Sequence, residues 1–195
     1  LFAMNKFEES LAFGRAGEST ISKWLQKRGH AVFPAYEKEG GDFKGPQLFS
    51  DSGDLVLPDL LAFRSGSAIW FEVKRKTCFT WHRISQRWVT GIDLHHYSQY
   101  QEVSSKTHLP VWLIFFHPES EPDKRDILHG CPPKSPTGLF GNDIMKLRDC
   151  ESHRHQNWGR HGMVYWPREN LRLLADTREI DPRFTGAINE YPSQS

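Results

Sequence analysis

A chain of 195 residues, 37% of them apolar and 13% aromatic, is long enough for one domain with a substantial core and several surface excursions. Its longest unbroken apolar run, Val111 to Phe116, falls far short of the ~20 residues that span a bilayer, and Asn5, Lys6, Glu8 and Glu9 interrupt any secretory signal, so an intracellular protein with no membrane partner is expected. A net charge of +1 does not mark the whole surface as a polyanion binder, and three widely spaced cysteines, Cys78, Cys131 and Cys150, suggest neither a disulfide framework nor a CxxC metal site.

Taken in chain order, and with Met4 read as a natural start, the first element is a helix over Asn5 to Arg28. Phe7, Leu11, Gly14, Ile21 and Leu25 recur there at three- and four-residue steps. Glu18 falls inside that stripe, so a carboxylate points with the core-facing side chains unless Gly14 and Gly17 bend the helix. Gly29 ends it, a short strand is expected over His30 to Tyr36, and Glu37 to Gly53 lacks a period and reads as a loop. Two stronger strands follow, Asp54 to Phe63 and Ala68 to Arg75, joined by a turn over Arg64 to Ser67.

From Lys76 to Ile92 aromatic and basic residues alternate, as in a ribbon turning near Ser85. Interleaving of this kind can stack bases and neutralise phosphates, which makes Arg75, Lys76, Trp81, Arg83 and Arg87 the candidate nucleic-acid-binding residues. Asp93 caps a second helix running to about Thr107, and Val111 to His117 reads as a strand buried on both faces. Beyond Pro118 the pattern is loop-rich to Phe140. A short helix is expected over Gly141 to Cys150, then strands at Gly162 to Trp166 and Leu171 to Leu174 about a Pro167 turn. Cys150, His153 and His155 do not have the spacing of a compact zinc site.

Charge is distributed unevenly along this path. Residues 37 to 72 carry three basic against seven acidic side chains; residues 74 to 108 carry six basic against two acidic, with four histidines besides. An acidic block running into a basic one suits a site that holds cations while facing a phosphate backbone. At the junction stand Pro58 and Asp59 on one strand and Glu72, Val73 and Lys74 on the next. Side chains alternate along a strand, so Glu72 and Lys74 share a face ~6–7 Å apart, and a hairpin would set Asp59 across from Glu72. Converging carboxylates repel unless a positive charge lies between them, and a hard divalent cation with oxygen ligands answers that need.

The order helix Glu, strand Pro-Asp, strand Glu-x-Lys, helix, strand resembles the PD-(D/E)xK nuclease superfamily, which includes restriction enzymes, Holliday junction resolvases and phage-type exonucleases. The matching positions are Glu18, Asp59, Glu72 and Lys74, within a stretch of about 5 to 118. The resemblance implies an α/β fold with a restriction endonuclease-like αβββαβ core, a mixed four-stranded sheet flanked by helices, and a C-terminal elaboration over about 119 to 195 within a single domain. It further implies a Mg²⁺-dependent deoxyribonuclease, with Mn²⁺ substituting, that hydrolyses phosphodiesters in recombination, repair or DNA degradation. Asp59 and Glu72 would hold the metal, with the Val73 carbonyl and Glu18 as further ligands. Lys74 would act electrostatically, orienting the attacking water, since nearby carboxylates keep it charged. Gln101, on the helix after the Glu-x-Lys strand, is a further candidate for the site. The alternatives are a structure-specific Holliday junction resolvase, which would work as a homodimer, and a nucleic-acid-binding module on a nuclease fold that no longer cuts.

Overall fold

The structure, a computed structural model, describes residues 6–35, 46–51, 53–157 and 161–181; the side chains of residues 6–13 are not among them. Helix α1 (Lys6–Lys27) is continuous through Gly14 and Gly17 and is closed by Gly29, whose φ of 82° is the left-handed conformation that ends helices. Strands β1 (Ala31–Pro34), β2 (Gln47–Leu48), β3 (Leu55–Val56), β4 (Leu60–Arg64) and β5 (Ser67–Arg75) follow. The ribbon expected after Lys76 is β6 (Thr80–His82) and β7 (Arg87–Asp93), which turn over residues 83 to 86. Helix α2 (Leu94–Thr107) starts on Asp93, whose carboxylate accepts from the His95 N–H at 2.8 Å, and leads to β8 (Val111–His117).

The remaining chain holds α3 (Lys124–Leu128), β9 (Gly138–Asp143), α4 (Ile144–Arg148), β10 (His153–His155), β11 (Met163–Pro167), a 3-10 turn (Arg168–Asn170), β12 (Arg172–Ala175) and α5 (Thr177–Ile180).

The main sheet has six strands in the order β1-β4-β5-β8-β9-β12. Its first four members, with β5 parallel to β8 and the other pairs antiparallel, form with α1 and α2 the αβββαβ core of a restriction endonuclease-like fold. The expected four-stranded sheet is extended on the far side by β9 and β12, both from the C-terminal region. Three local expectations are corrected. The strand expected over Asp54 to Phe63 is split, because β3 pairs with β2 and only Leu60 onward joins the main sheet. Gly141 to Asp143 belong to β9, so the helix begins only at Ile144. The two strands about Pro167 do not share a sheet: β11 enters a second, four-stranded sheet ordered β10-β11-β7-β6, and β12 enters the main one.

Apolar side chains divide along the two faces of β5. Phe71 and Val73 pack under α1 with Ile21, Leu25, Leu60 and Phe116. Trp70 faces the opposite way, into a larger core with Tyr97, Val103, Leu113, Phe115 and Trp166 that also joins the second sheet to the first. Alternation along one strand therefore builds both layers. Gly17 lets α1 approach closely, since a Cβ there would stand 2.8 Å from the Cβ of Arg75.

Candidate active site

A gap in the main sheet makes the site. Leu60 pairs with Phe71; continuing that antiparallel register would set Asp59 opposite Glu72 and Pro58 opposite Val73. The ladder to β5 stops at Leu60 because Pro58 has no N–H to give, while on the other edge the β1 register continues, with the Asp59 carbonyl accepting from the Ala35 N–H at 2.8 Å. The Val73 N–H, left without a strand partner, donates to Asp59 Oδ2 at 2.8 Å. A carboxylate thus takes the place of a backbone acceptor. In a strand the N–H and C=O of one residue face the same neighbour, so the Val73 carbonyl faces this gap too.

Glu72 and Lys74 lie on the face of β5 opposite Val73. Glu72 is 1% exposed, and Lys74 Nζ lies 2.5 Å from its Oε1. The Tyr100 hydroxyl and the Asp59 carboxyl also lie against Glu72. Even so, neither Glu72 oxygen receives a well-formed hydrogen bond from the protein. A buried carboxylate in this condition is costly, and the cost shows in its neighbours. Burial, reinforced by Glu72, pushes Asp59 from 3.8 up to about 7, against the opposing pull of Lys74 and the Val73 N–H. Burial and then Asp59 push Glu18, half-buried on α1, from 4.5 up to about 7. Burial works against the Lys74 ammonium, but Glu72, Asp59 and Glu18 outweigh it and hold its pKa above the usual lysine value. The site has more negative charge than one lysine neutralises.

Glu18, Asp59, Glu72 and Lys74 thus meet in one electrostatic unit drawn from α1, the segment before β4, and β5. Gln101 is half-exposed; the α2 side chain set against Glu72 is Tyr100, one residue earlier and about 100° around the helix. His96, one turn before Tyr100 with ring centroids 6.0 Å apart, faces the same region, and burial followed by the Lys74 charge lowers its pKa. Neither residue was singled out above. The readable signal was the stripe His96, Tyr100, Val103, which places two polar rings on the core-facing side of α2.

Of the basic and aromatic candidates, Arg75, Lys76, Trp81 and Arg83 line one groove of about 1110 Å³ running from the end of β5 to α3. Burial and the Lys74 charge lower Lys76 to about 8. Trp81 is half-buried, edge-on to Trp88, and its backbone N–H donates to Asp126 Oδ2 at 3.0 Å. Arg87 turns elsewhere, 3.4 Å from Glu169, and is not part of the groove wall.

The donor chemistry fits a hard divalent cation: carboxylate oxygens, two of them buried without hydrogen bonds, with a backbone carbonyl facing the same gap. Among the described residues no group of three or more His, Cys, Asp or Glu side chains is placed to hold a metal ion as they stand; the nearest positive charge to Glu72 is Lys74. No described helix is long and apolar enough to cross a membrane.

No protein-family model and no curated protein sequence matches the chain. Among solved structures it is similar to Hjc, a Holliday junction resolvase from the archaeal hyperthermophile Archaeoglobus fulgidus, with 10% identity over 80% of this chain and 90% of that one, at a TM-score of 0.44. It is also similar to D212, a nuclease from a fusselovirus, with 12% identity over 89% of this chain and 90% of that one, at a TM-score of 0.38. Identities this low transfer neither protein's activity to this chain.

Proposed function

We propose that the protein is a divalent-metal-dependent nuclease that hydrolyses phosphodiester bonds in DNA. Asp59, Glu72, the Val73 carbonyl and Glu18 would hold Mg²⁺, or Mn²⁺ in its place. The observation that carries this reading is the Glu72 carboxylate, 1% exposed and faced by a single lysine, beside two further carboxylates raised to about 7. Protein interiors tolerate such a cluster poorly unless a cation compensates it. When bound, the metal supplies Lewis acidity toward a phosphoryl oxygen and acidifies a water molecule near neutral pH.

The chain's own groups do the rest. Lys74 keeps its proton, held by Glu72 and its neighbours, so it serves as a fixed positive charge that orients the attacking water and offsets charge developing on the phosphate. Tyr100, whose pKa burial and then Glu72 and Asp59 hold well above its ordinary value, remains a hydroxyl donor that fixes the Glu72 carboxylate. The Val73 N–H fixes Asp59. DNA is proposed because cleavage of DNA predominates in the superfamily the motif resembles.

Nicking of supercoiled plasmid in Mg²⁺ or Mn²⁺, and its loss in chelator, tests the reading. Asp59→Ala must abolish nicking while leaving the fold intact by circular dichroism; unchanged nicking by that variant refutes the assignment. Four-way junctions compared with linear duplexes, together with the solution mass of the protein, separate a general nuclease from a dimeric junction resolvase.

A further inference from the structure

The second sheet turns one face to the core and leaves the other open. Val164, Trp166, Ile92 and Trp88 belong to the buried face. The registers His153↔Tyr165, Tyr165↔Gly91, Val89↔Thr80 and Arg87↔His82 place the alternate residues on the other. Gly91 makes this face possible, because a Cβ there would collide with the Val164 carbonyl and stand 2.7 Å from the Tyr165 ring. Over that side-chain-free position the rings stack: His82 on His153 with centroids 4.0 Å apart and planes 13° apart, and His153 on Tyr165 at 4.7 Å and 8°. Ser85 Oγ lies 2.7 Å from His82 Nδ1 and steadies the outermost ring.

This stack forms one wall of an open cavity of about 470 Å³, next to Ile84, which is 91% exposed. The volume lies in the ~300–1,000 Å³ range of small-ligand sites and is far too small for a duplex. Arg83 and three histidines line it, and among the described residues no carboxylate does. A cavity with aromatic faces, an arginine at its edge and no acidic group among the described residues that line it complements a base attached to a phosphodiester. Its position agrees. The cavity shares Thr80, Trp81 and Arg83 with the groove that begins at Arg75 and Lys76, directly after Lys74. Two of that groove's carboxylates are already engaged, Asp123 with the Arg125 N–H and Asp126 with the Trp81 N–H.

We propose that the His82, His153 and Tyr165 cavity takes an unpaired nucleobase of the nucleic acid cut at Asp59, Glu72 and Lys74, so that the preferred substrate has a single-stranded stretch beside its duplex. This rests on the nuclease reading for what is cut, and on the cavity alone for what is bound.

The test measures binding of the full chain, in Ca²⁺ to suppress cleavage, to blunt duplexes and to duplexes with a 5′ or 3′ single-stranded tail carrying 2-aminopurine. One tailed duplex is expected to bind about tenfold more tightly than the blunt one and to show quenched 2-aminopurine fluorescence. His82→Ala and His153→Ala must remove both effects without changing blunt-duplex affinity, and His82→Phe must restore them. Equal affinity for tailed and blunt duplexes without quenching overturns the proposal, as does a preference that survives His82→Ala. Self-association abolished by the same alanine variants, with no tail preference, would assign the cavity to a second copy of this chain and likewise overturn it. Quenching by a protein that cuts nothing in Mg²⁺ or Mn²⁺ refutes the nuclease reading and leaves the cavity standing; cutting without quenching does the reverse.

Discussion

The gap beside β5 and the open face of the second sheet solve opposite problems. At the gap, Asp59 and Glu72 stand where the sheet stops pairing, Glu18 is coupled to them electrostatically, and one lysine answers the three carboxylates. On the second sheet, aromatic rings satisfy one another by stacking and the cavity wall contains no carboxylate. The first region is held in an electrostatically unfavourable state by the packing around it, and the second is nearly self-sufficient. A region of the first kind gains most from a cation and a region of the second kind from a flat, neutral ring. Under the proposed function the two would divide a nucleic acid between them, phosphate to one and base to the other.

The largest expected effect comes from separating the charges at the gap. Glu72→Gln should lower nicking by at least about 10³-fold while leaving stability the same or higher, because it removes a buried charge from a cluster in which carboxylates outnumber the one lysine. Lys74→Met should lower nicking by about 10²-fold and also destabilise the fold by about 2 kcal/mol, since it strands Glu72 without its counter-charge. That cost falls below that of a fully buried pair because Lys74 is 35% exposed. Chemical denaturation of both variants checks the contrast; equal stability changes would mean that the gap is not charge-strained.

A second effect is carried by Asp59. Its pKa is raised to about 7 from 3.8, so the folded protein holds a proton that the unfolded chain releases. The stability this contributes is complete below about pH 4 and is lost as the pH rises to about 7. Metal-free wild type should therefore be destabilised relative to Asp59→Asn by roughly 2–4 kcal/mol more at pH 8 than at pH 4.5. His96 and His153, with lowered pKa values, act in the opposite direction, so the difference between the two proteins, measured by thermal melting in chelator, is the informative quantity. Adding Mg²⁺ or Mn²⁺ at pH 8 should raise the melting temperature of wild type and not of Asp59→Asn. A difference that does not vary with pH would break the account of the gap.

What could be read in advance follows the same division. The residues of the gap could be put side by side in advance because they are local: Glu72-Val73-Lys74 sit on β5, where alternation sets their faces, and Pro58-Asp59 directly precede β4, which a short turn joins to it. The second sheet could not be assembled this way, since it joins β6 and β7 to β10 and β11, more than fifty residues apart, and no periodicity reports such a pairing. Strand β9 was hidden for another reason. It spans the boundary between the stretch read as loop-rich and the helix expected from Gly141, yet a Cβ at Gly141 would stand 2.7 Å from the Leu113 carbonyl, so the glycine is there to let two strands close. Gln101 follows from the superfamily pattern on the helix after the Glu-x-Lys strand, whereas the residue set against Glu72 is Tyr100, on the core-facing stripe of α2.

The position of α1 over the gap gives a smaller, paired test. Gly14 and Gly17 lie one turn apart in the same helix, and the helix gains by about 1 kcal/mol when a glycine becomes alanine. At Gly14 a Cβ meets nothing within 4 Å, so Gly14→Ala should stabilise by about that amount and leave nicking unchanged. At Gly17 the Cβ would stand 2.8 Å from Arg75 Cβ, which is fixed to β5. Gly17→Ala should then lose about 1 kcal/mol net and slow nicking, because α1 carries Glu18 one residue further on. Equal gains at both positions would show that α1 does not set the geometry of the gap.

The smallest effect belongs to Arg83, where the groove and the aromatic cavity meet. It is exposed, with Nη1 3.2 Å from His129 Nε2, so truncating it should leave the fold unaffected. If it contacts a phosphate on the path between the two regions, Arg83→Ala should weaken binding of tailed and blunt duplexes alike by a few-fold and reduce the slope of log affinity against log salt by about 1. An unchanged slope would place the nucleic acid elsewhere. A loss confined to the tailed duplex would instead assign Arg83 to the base cavity, moving the boundary between the phosphate-binding region and the base-binding region to the β5 side of the ribbon.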